Sequence, residues 1–142
     1  MKNPLLALTA FLLALTAAPA QTTAPVQHRV VMQMNVSSAD SWSQLLGNIQ
    51  NIRKAFGADK IQIEVVAWGK GLAILQKSNT THEATMKQLA TEGVVFAACQ
   101  NSMRTRNVKT EDLFPFAAQV DSGVAEVIRK QEAGWSYVRA GE

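Results

Sequence analysis

Apolar and polar residues alternate from His28 to Met34 (HRVVMQM), with β-branched residues in the middle, and this two-residue period predicts a first strand. The period then lengthens. Trp42, Leu45, Leu46, Ile49, Ile52 and Phe56 recur every three or four residues, so a helix with one apolar stripe follows. Ser41 and Gln44 have the spacing of a capping box at its start, and Gly57 stops it. Ile61 to Trp68 (IQIEVVAW) is rich enough in apolar and β-branched residues for a second strand. Gly69-Lys70-Gly71 then turns the chain into a short apolar segment, Leu72 to Leu75. Thr80 and Glu83 give another capping box, opening a helix that carries Met86, Leu89 and Ala90 and ends at Gly93.

Val94 to Ala98 is the third strand. Helical spacing resumes after Cys99 and stops near Asn107, and Thr110 to Leu113 reads as a single turn closed off by Pro115. Ala117 to Val120 can be a fourth strand. Ser122 opens a last helix, with Val124, Val127 and Ile128 expected inward and Gly134 as its stop, before a short final strand from Trp135 to Val138. Strands that alternate with helices imply right-handed crossovers and a mostly parallel sheet, of about five strands, covered on both faces. Residues 28–142 show no repeat, low-complexity tract or internal linker, so a single three-layer α/β/α sandwich is expected.

What precedes this pattern reads as an address. Lys2 supplies a positive charge, Leu5 to Ala17 an apolar run, and Ala18-Pro19-Ala20 a small-x-small cleavage pattern. Residues 1–20 are therefore expected to be a cleaved signal peptide, with Gln21 as the new N-terminus and a periplasmic or secreted product. The apolar run is shorter than the ~20 residues a bilayer span needs. Residues 21–27, polar and Pro-containing, are expected to be a flexible leader. Removing the first 20 residues, Lys2 among them, leaves 122 residues, enough for one core, and lowers the net charge from +3 to +2. So small and scattered a charge argues for neither nucleic acid nor membrane as a partner.

In a parallel sheet, ligands bind beyond the carboxyl ends of the strands, where helix N-termini gather. The candidate stretches are Asn35-Val36-Ser37-Ser38, Trp68-Gly69-Lys70-Gly71, Cys99-Gln100-Asn101-Ser102 and Asp121-Ser122-Gly123. The third holds the chain's single cysteine. Export normally means an oxidising compartment, where cysteines are paired; a lone one is inert, paired between molecules, or a working thiol. Where a strand ends and a helix opens, its sulfur would meet unpaired backbone N–H groups and the positive end of the helix dipole, which favour the thiolate. Arg104 and Arg106 would add positive charge if they folded back. The bland reading is a cysteine filling a small apolar site after Ala97-Ala98.

The other candidates carry less. Gly69-x-Gly71 falls far short of a phosphate-binding fingerprint and reads as a tight turn, so no cofactor is expected. Met32 and Met34, with His28, offer soft donors that suit Cu(I), but alternation puts both thioethers on one strand face, in the core, and no metal is expected. His82, in the first turn of its helix, is expected to be solvated. No Ser/His/Asp set or paired carboxylates can be read from the spacing, so a hydrolase is not supported.

The stretch VVFAACQNSMRTRNV, followed by LFPFAAQVDSGVAEVIRKQEAGWSYVR, resembles the DsrE/DsrF-like group, which includes YchN-type proteins. The resemblance rests on the order strand, Cys99, short helix, Arg, then Leu-x-Pro, Ser-Gly-Val before a helix, and Gly-Trp-x-Tyr; VVAWGKGLAIL fits the second strand and its turn. It implies a parallel five-stranded α/β/α sandwich assembling as a homo-oligomer, often a trimer or hexamer. It further implies that the cysteine matching Cys99 carries a persulfide, exchanged with sulfur-donor or acceptor thiol partners. Two positions depart from the pattern. Trp68 stands where many members have His, so no acid/base role carries over to it, and Asn107 stands where Gly often follows the Arg, a mild change because Asn tolerates the left-handed conformation. Relays of this type work in the cytoplasm, whereas this chain begins with an export pattern. The leading expectation is an exported sulfur-handling protein, a carrier or sulfurtransferase-type relay, in which Cys99 accepts and passes on sulfane sulfur. The alternative is a non-catalytic homo-oligomeric module that binds a small ligand at the strand-end rim formed by Asn35, Trp68, Gly69, Gly71, Gln100, Asn101, Ser122 and Gly123.

Overall fold

Every connection between consecutive strands carries helical structure that returns the chain to the same end of the sheet, so all the strands run parallel. The computed structural model describes residues 28–141; the expected signal peptide, cleavage point and leader lie outside the described residues. The strands are β1 (His28–Met34), β2 (Ile61–Ala67), β3 (Val95–Cys99), β4 (Ala118–Val120) and β5 (Ser136–Arg139). The α-helices are α1 (Ala39–Phe56), α2 (Thr80–Thr91), α3 (Gln100–Thr105) and α4 (Gly123–Glu132). A 3-10 helix over Gly69–Leu75 links β2 to α2, and a shorter one, Thr110–Asp112, precedes β4. The sheet order is β4-β3-β2-β1-β5, so β1 lies beside both β2 and β5.

Alternation along the strands divides the core in two. Val30, Met32 and Met34 of β1, Ile63, Val65 and Ala67 of β2, and Phe96 and Ala98 of β3 point to one face. There they meet Leu45, Leu46 and Ile49 of α1, Met86 and Leu89 of α2, and the apolar 3-10 residues Leu72, Ile74 and Leu75. Met32 and Met34 are completely buried in this cluster, as their shared face required. On the opposite face Val31, Val66 and Ala97 pack against Val127 of α4, with Trp68, Val120 and Trp135 at the margins. Glu64 projects to this second face and is 5% exposed. Its carboxylate pairs with Lys130 Nζ, 2.6 Å away, which fastens α4 to the middle of the sheet.

The structure corrects several local expectations. The cap of α1 is Ser38, whose Oγ accepts from the Ser41 N–H at 3.3 Å; Ser41 therefore lies inside the first turn and does not cap it. Thr80 begins α2, so it is not a cap either, and the preceding Asn79 turns its side chain elsewhere. His82 is buried, not solvated, because it joins α2 to α1. Its Nδ1 lies 2.9 Å from Asn79 Oδ1 and its Nε2 3.1 Å from Ser43 Oγ. Asn79 Nδ2 donates to the Ile74 carbonyl, which leaves Oδ1 facing the ring. Nδ1 therefore carries the proton, and Nε2 accepts from the Ser43 hydroxyl. Phe56 is 46% exposed and closes its stripe against the His28 ring, at 4.3 Å between centroids.

The largest departure is on α4. Val124 and Ile128, expected inward, are 55% and 50% exposed, and among the apolar residues of that stripe only Val127 is buried. One short helix crosses this face and packs on β1, β2, β3 and β5, so its buried stripe is narrow and the apolar flank is left outside.

Candidate functional site

Cys99 is both the last residue of β3 and the N-cap of α3. That double position turns its sulfur toward the open end of the helix. The backbone N–H groups of Asn101 and Ser102, the Gly123 N–H at the start of α4 and the Ser102 hydroxyl surround the thiol and favour its ionised form. The Asn101 N–H donates to the Asp121 carbonyl, 3.3 Å away, which ties the loop before α4 to α3. The Gly69 N–H donates to Ser102 Oγ at 2.8 Å, so the serine's own hydrogen is free to point at the sulfur. Three loops, following β2, β3 and β4, thus meet around Cys99 and Ser102.

Burial pushes the Cys99 thiol up, since Cys99 is 3% exposed. The Ser102 hydroxyl and the N–H groups of Gly123, Ser102 and Asn101 act the other way and win, leaving the pKa below the ordinary thiol range. The stabilising charge is therefore that of oriented N–H and O–H dipoles. Arg104 donates to the Asn101 side-chain oxygen instead, and Arg106 is exposed at the far end of the helix.

Two glycines make the convergence possible. A Cβ on Gly123 would lie 2.9 Å from Trp68 Cε3, 3.1 Å from Trp68 Cβ and 3.3 Å from Cys99 Cβ. Only hydrogen fits between the indole and the cysteine, and its absence of bulk lets the N-terminus of α4 reach the sulfur. Gly71 serves the backbone: a Cβ there would lie 2.3 Å from the Met34 carbonyl oxygen and 2.7 Å from Asn35 Cα. The 3-10 helix can cross the end of β1 at that point only without a side chain.

The predicted rim is thus only partly a site around the thiol. Trp68, Gly69, Asn101 and Gly123 gather around Cys99, Asn101 and Gly123 by their backbone N–H groups and Gly69 indirectly, through its bond to Ser102 Oγ. Gln100 turns its side chain toward Gln119, at 3.4 Å, the Asn101 carboxamide holds Arg104, and the Ser122 hydroxyl caps α4 by accepting from the Ala125 N–H at 3.4 Å. Asn35 ends the same rim, and its side-chain oxygen is buried without a hydrogen-bond partner. Ser102, 9% exposed, was not singled out among the site residues. The signal was the Cys99-x-x-Ser102 spacing, because an N-cap residue and the third helical residue face each other. Asn107 has φ 52, the left-handed conformation anticipated for it. Among the described residues no group of three or more His, Cys, Asp or Glu could hold a metal ion, and no helix is long and apolar enough to cross a membrane.

Comparison with known proteins places this architecture. Its sheet and helices match the structure of MTH1491, a protein of unknown function from Methanobacterium thermoautotrophicum, with a TM-score of 0.75 and 29% identity, covering 79% of this chain and 98% of that one. The ychN protein of E. coli matches with a TM-score of 0.62 and 10% identity over 80% of this chain and 98% of that one. BT1422 of Bacteroides thetaiotaomicron, also of unknown function, gives 0.62 and 16% over 78% and 93%. These last two share the fold. No curated protein matches the sequence. A sequence model of the DsrE/DsrF-like family, however, spans residues 10–140, and with the five-stranded parallel sheet it settles the assignment: the chain belongs to the DsrE/DsrF-like family.

Proposed function

We propose that this protein is an exported sulfur carrier in which Cys99 takes up sulfane sulfur as a persulfide and passes it to an outside thiol. The observation that supports this reading most is the set of donors around one sulfur: three backbone N–H groups and a buried hydroxyl hold the thiol below its ordinary pKa. The Cys99 thiolate attacks the outer sulfur of a polysulfide. A new S–S bond forms, the donor's S–S bond breaks, and the shortened donor leaves with the electron pair. The persulfide anion then lies where the same donors can hold it. An acceptor thiolate attacks the outer sulfur and Cys99 leaves as a thiolate, a better leaving group for its lowered pKa. With a single cysteine in the chain, internal discharge as a disulfide is impossible, so the partner must supply the thiol.

Export is part of the proposal and rests on the pattern of residues 1–20. Intact-mass measurement of periplasmic material is expected to give a chain beginning at Gln21; a chain that retains Met1 to Ala20 refutes it. Assembly as a homo-oligomer, a trimer or hexamer, is proposed from the family and from the exposed apolar side chains of Val124, Ile128 and Tyr137.

A second reading, a non-catalytic oligomeric binding module, is favoured by one observation, the 3% exposure of Cys99. Incubation with polysulfide separates the two. The carrier gains about 32 Da on the Cys99 peptide, one sulfur atom, and Cys99→Ser folds but gains nothing. Folded wild-type protein that never gains sulfur is the binding module.

A further inference from the structure

An amide oxygen that is buried and accepts nothing costs about 1–3 kcal/mol, and native proteins retain few of them. Asn35 Oδ1 is such an atom. Its place in the sheet links it to the thiol. Met34 is registered against Ala67, and Ala67 against Ala98. Asn35, Trp68 and Cys99, each one residue further on, therefore stand side by side across three adjacent strand ends. Strand alternation carries Asn35 onto the face of Val31, which it shares with Trp68. Two strand spacings, about 10 Å, separate Asn35 from Cys99, and the half-buried Trp68 lies between them.

On the persulfide reading above, we propose that Asn35 selects the sulfur donor: its oxygen accepts from an amine a few bonds away from the reactive sulfur, so the donor is a small amino-thiol hydropersulfide of cysteine's size. The span sets the size. A reacting sulfur approaches to about 3–3.5 Å, and the hydrogen bond at the other end takes about 2.9 Å. What is left, roughly 4 Å, is bridged by a few covalent bonds. An ammonium suits the oxygen because a charge-assisted bond is about twice as strong as a neutral one. Both Cys99 and the Asn35 oxygen are shut from solvent, so entry of the donor displaces the indole of Trp68 and gives the orphaned acceptor its partner. In the transfer itself the Cys99 thiolate bonds to the outer sulfur, the donor's S–S bond breaks, and the amino thiol leaves as its thiolate.

The test compares the rate of sulfur uptake on Cys99 from three donors: cysteine hydropersulfide, 3-mercaptopropionate hydropersulfide, which lacks the amine, and inorganic polysulfide. Wild-type protein is expected to react about tenfold faster with the first than with the second, the effect of one charge-assisted hydrogen bond. Asn35→Ala is expected to abolish that preference, read as the ratio of the first rate to the second in the same protein, and its melting temperature should hold because the oxygen removed has no partner to lose. The wild-type comparison needs no variant, so a misfolded Asn35→Ala does not decide the matter. Equal wild-type rates from the two organic donors, or a preference that survives in folded Asn35→Ala, overturn the selection by Asn35. No uptake from any of the three overturns the persulfide reading itself.

Discussion

Replacing Gly123 with Ala puts one methyl group into the contact on which the Cys99 environment depends. That methyl would stand 2.9 Å from a ring carbon of Trp68 and 3.3 Å from Cys99 Cβ, so either the indole turns away or the start of α4 retreats. Helix propensity alone favours Ala by about 0.5–1 kcal/mol, but forcing a methyl into a filled space costs about 1–3 kcal/mol. The net expectation is a loss of about 1 kcal/mol. Retreat of α4 also withdraws the Gly123 N–H from the sulfur, and the thiol pKa rises toward its ordinary value. The thiolate population at a fixed pH below the titration therefore falls. Thiolate ultraviolet absorbance followed across pH, with urea unfolding of the same samples, reads both effects. An unchanged titration in a variant as stable as wild type, or more stable, refutes the role given to Gly123.

Other consequences follow from the same contacts. Cys99 has a lower pKa folded than unfolded, so between the two values the unfolded chain binds more protons and stability rises with pH. The advantage of wild type over Cys99→Ser in urea should therefore grow from the folded-state pKa up to the ordinary thiol range and level off above it; an advantage that shrinks over that interval contradicts the assignment. His82→Ala breaks the clasp between α1 and α2 and leaves the buried Asn79 side-chain oxygen without its partner, for a loss of about 1–3 kcal/mol in urea midpoint experiments, against near-neutrality if His82 is solvated. Val124→Asp combined with Ile128→Asp should lower the particle mass in light scattering while circular dichroism is unchanged; an unaltered mass places self-association elsewhere.

The elements were legible because hydrophobic period is a local property. HRVVMQM and IQIEVVAW announce two strands wherever they pack, and the parallel sheet follows from the helical stretches between strands. Cys99 at a strand-to-helix junction was legible for the same reason. What escaped depends on which element meets which. Val124 and Ile128 sit on an ordinary apolar stripe, and only the crossing of one short helix over the sheet decides that they face outward. His82 looks like a first-turn surface residue until α1 brings Ser43 beside it. Ser102 owes its role to Gly69, 33 positions away in sequence, whose N–H fixes the hydroxyl. The unpaired oxygen of Asn35 is likewise a property of the assembled rim.

The most direct test of the account is whether Cys99 is a reachable thiolate in the native protein. Alkylation of folded protein by iodoacetamide, followed against pH and compared with the same protein in denaturant, measures reach and ionisation together. The account predicts that the native thiol reacts, despite its 3% exposure at rest, with a rate that reaches half its plateau at a lower pH than in the denatured chain. A thiol that reacts only after denaturation, or one whose native rate rises at the pH of an ordinary cysteine, contradicts it.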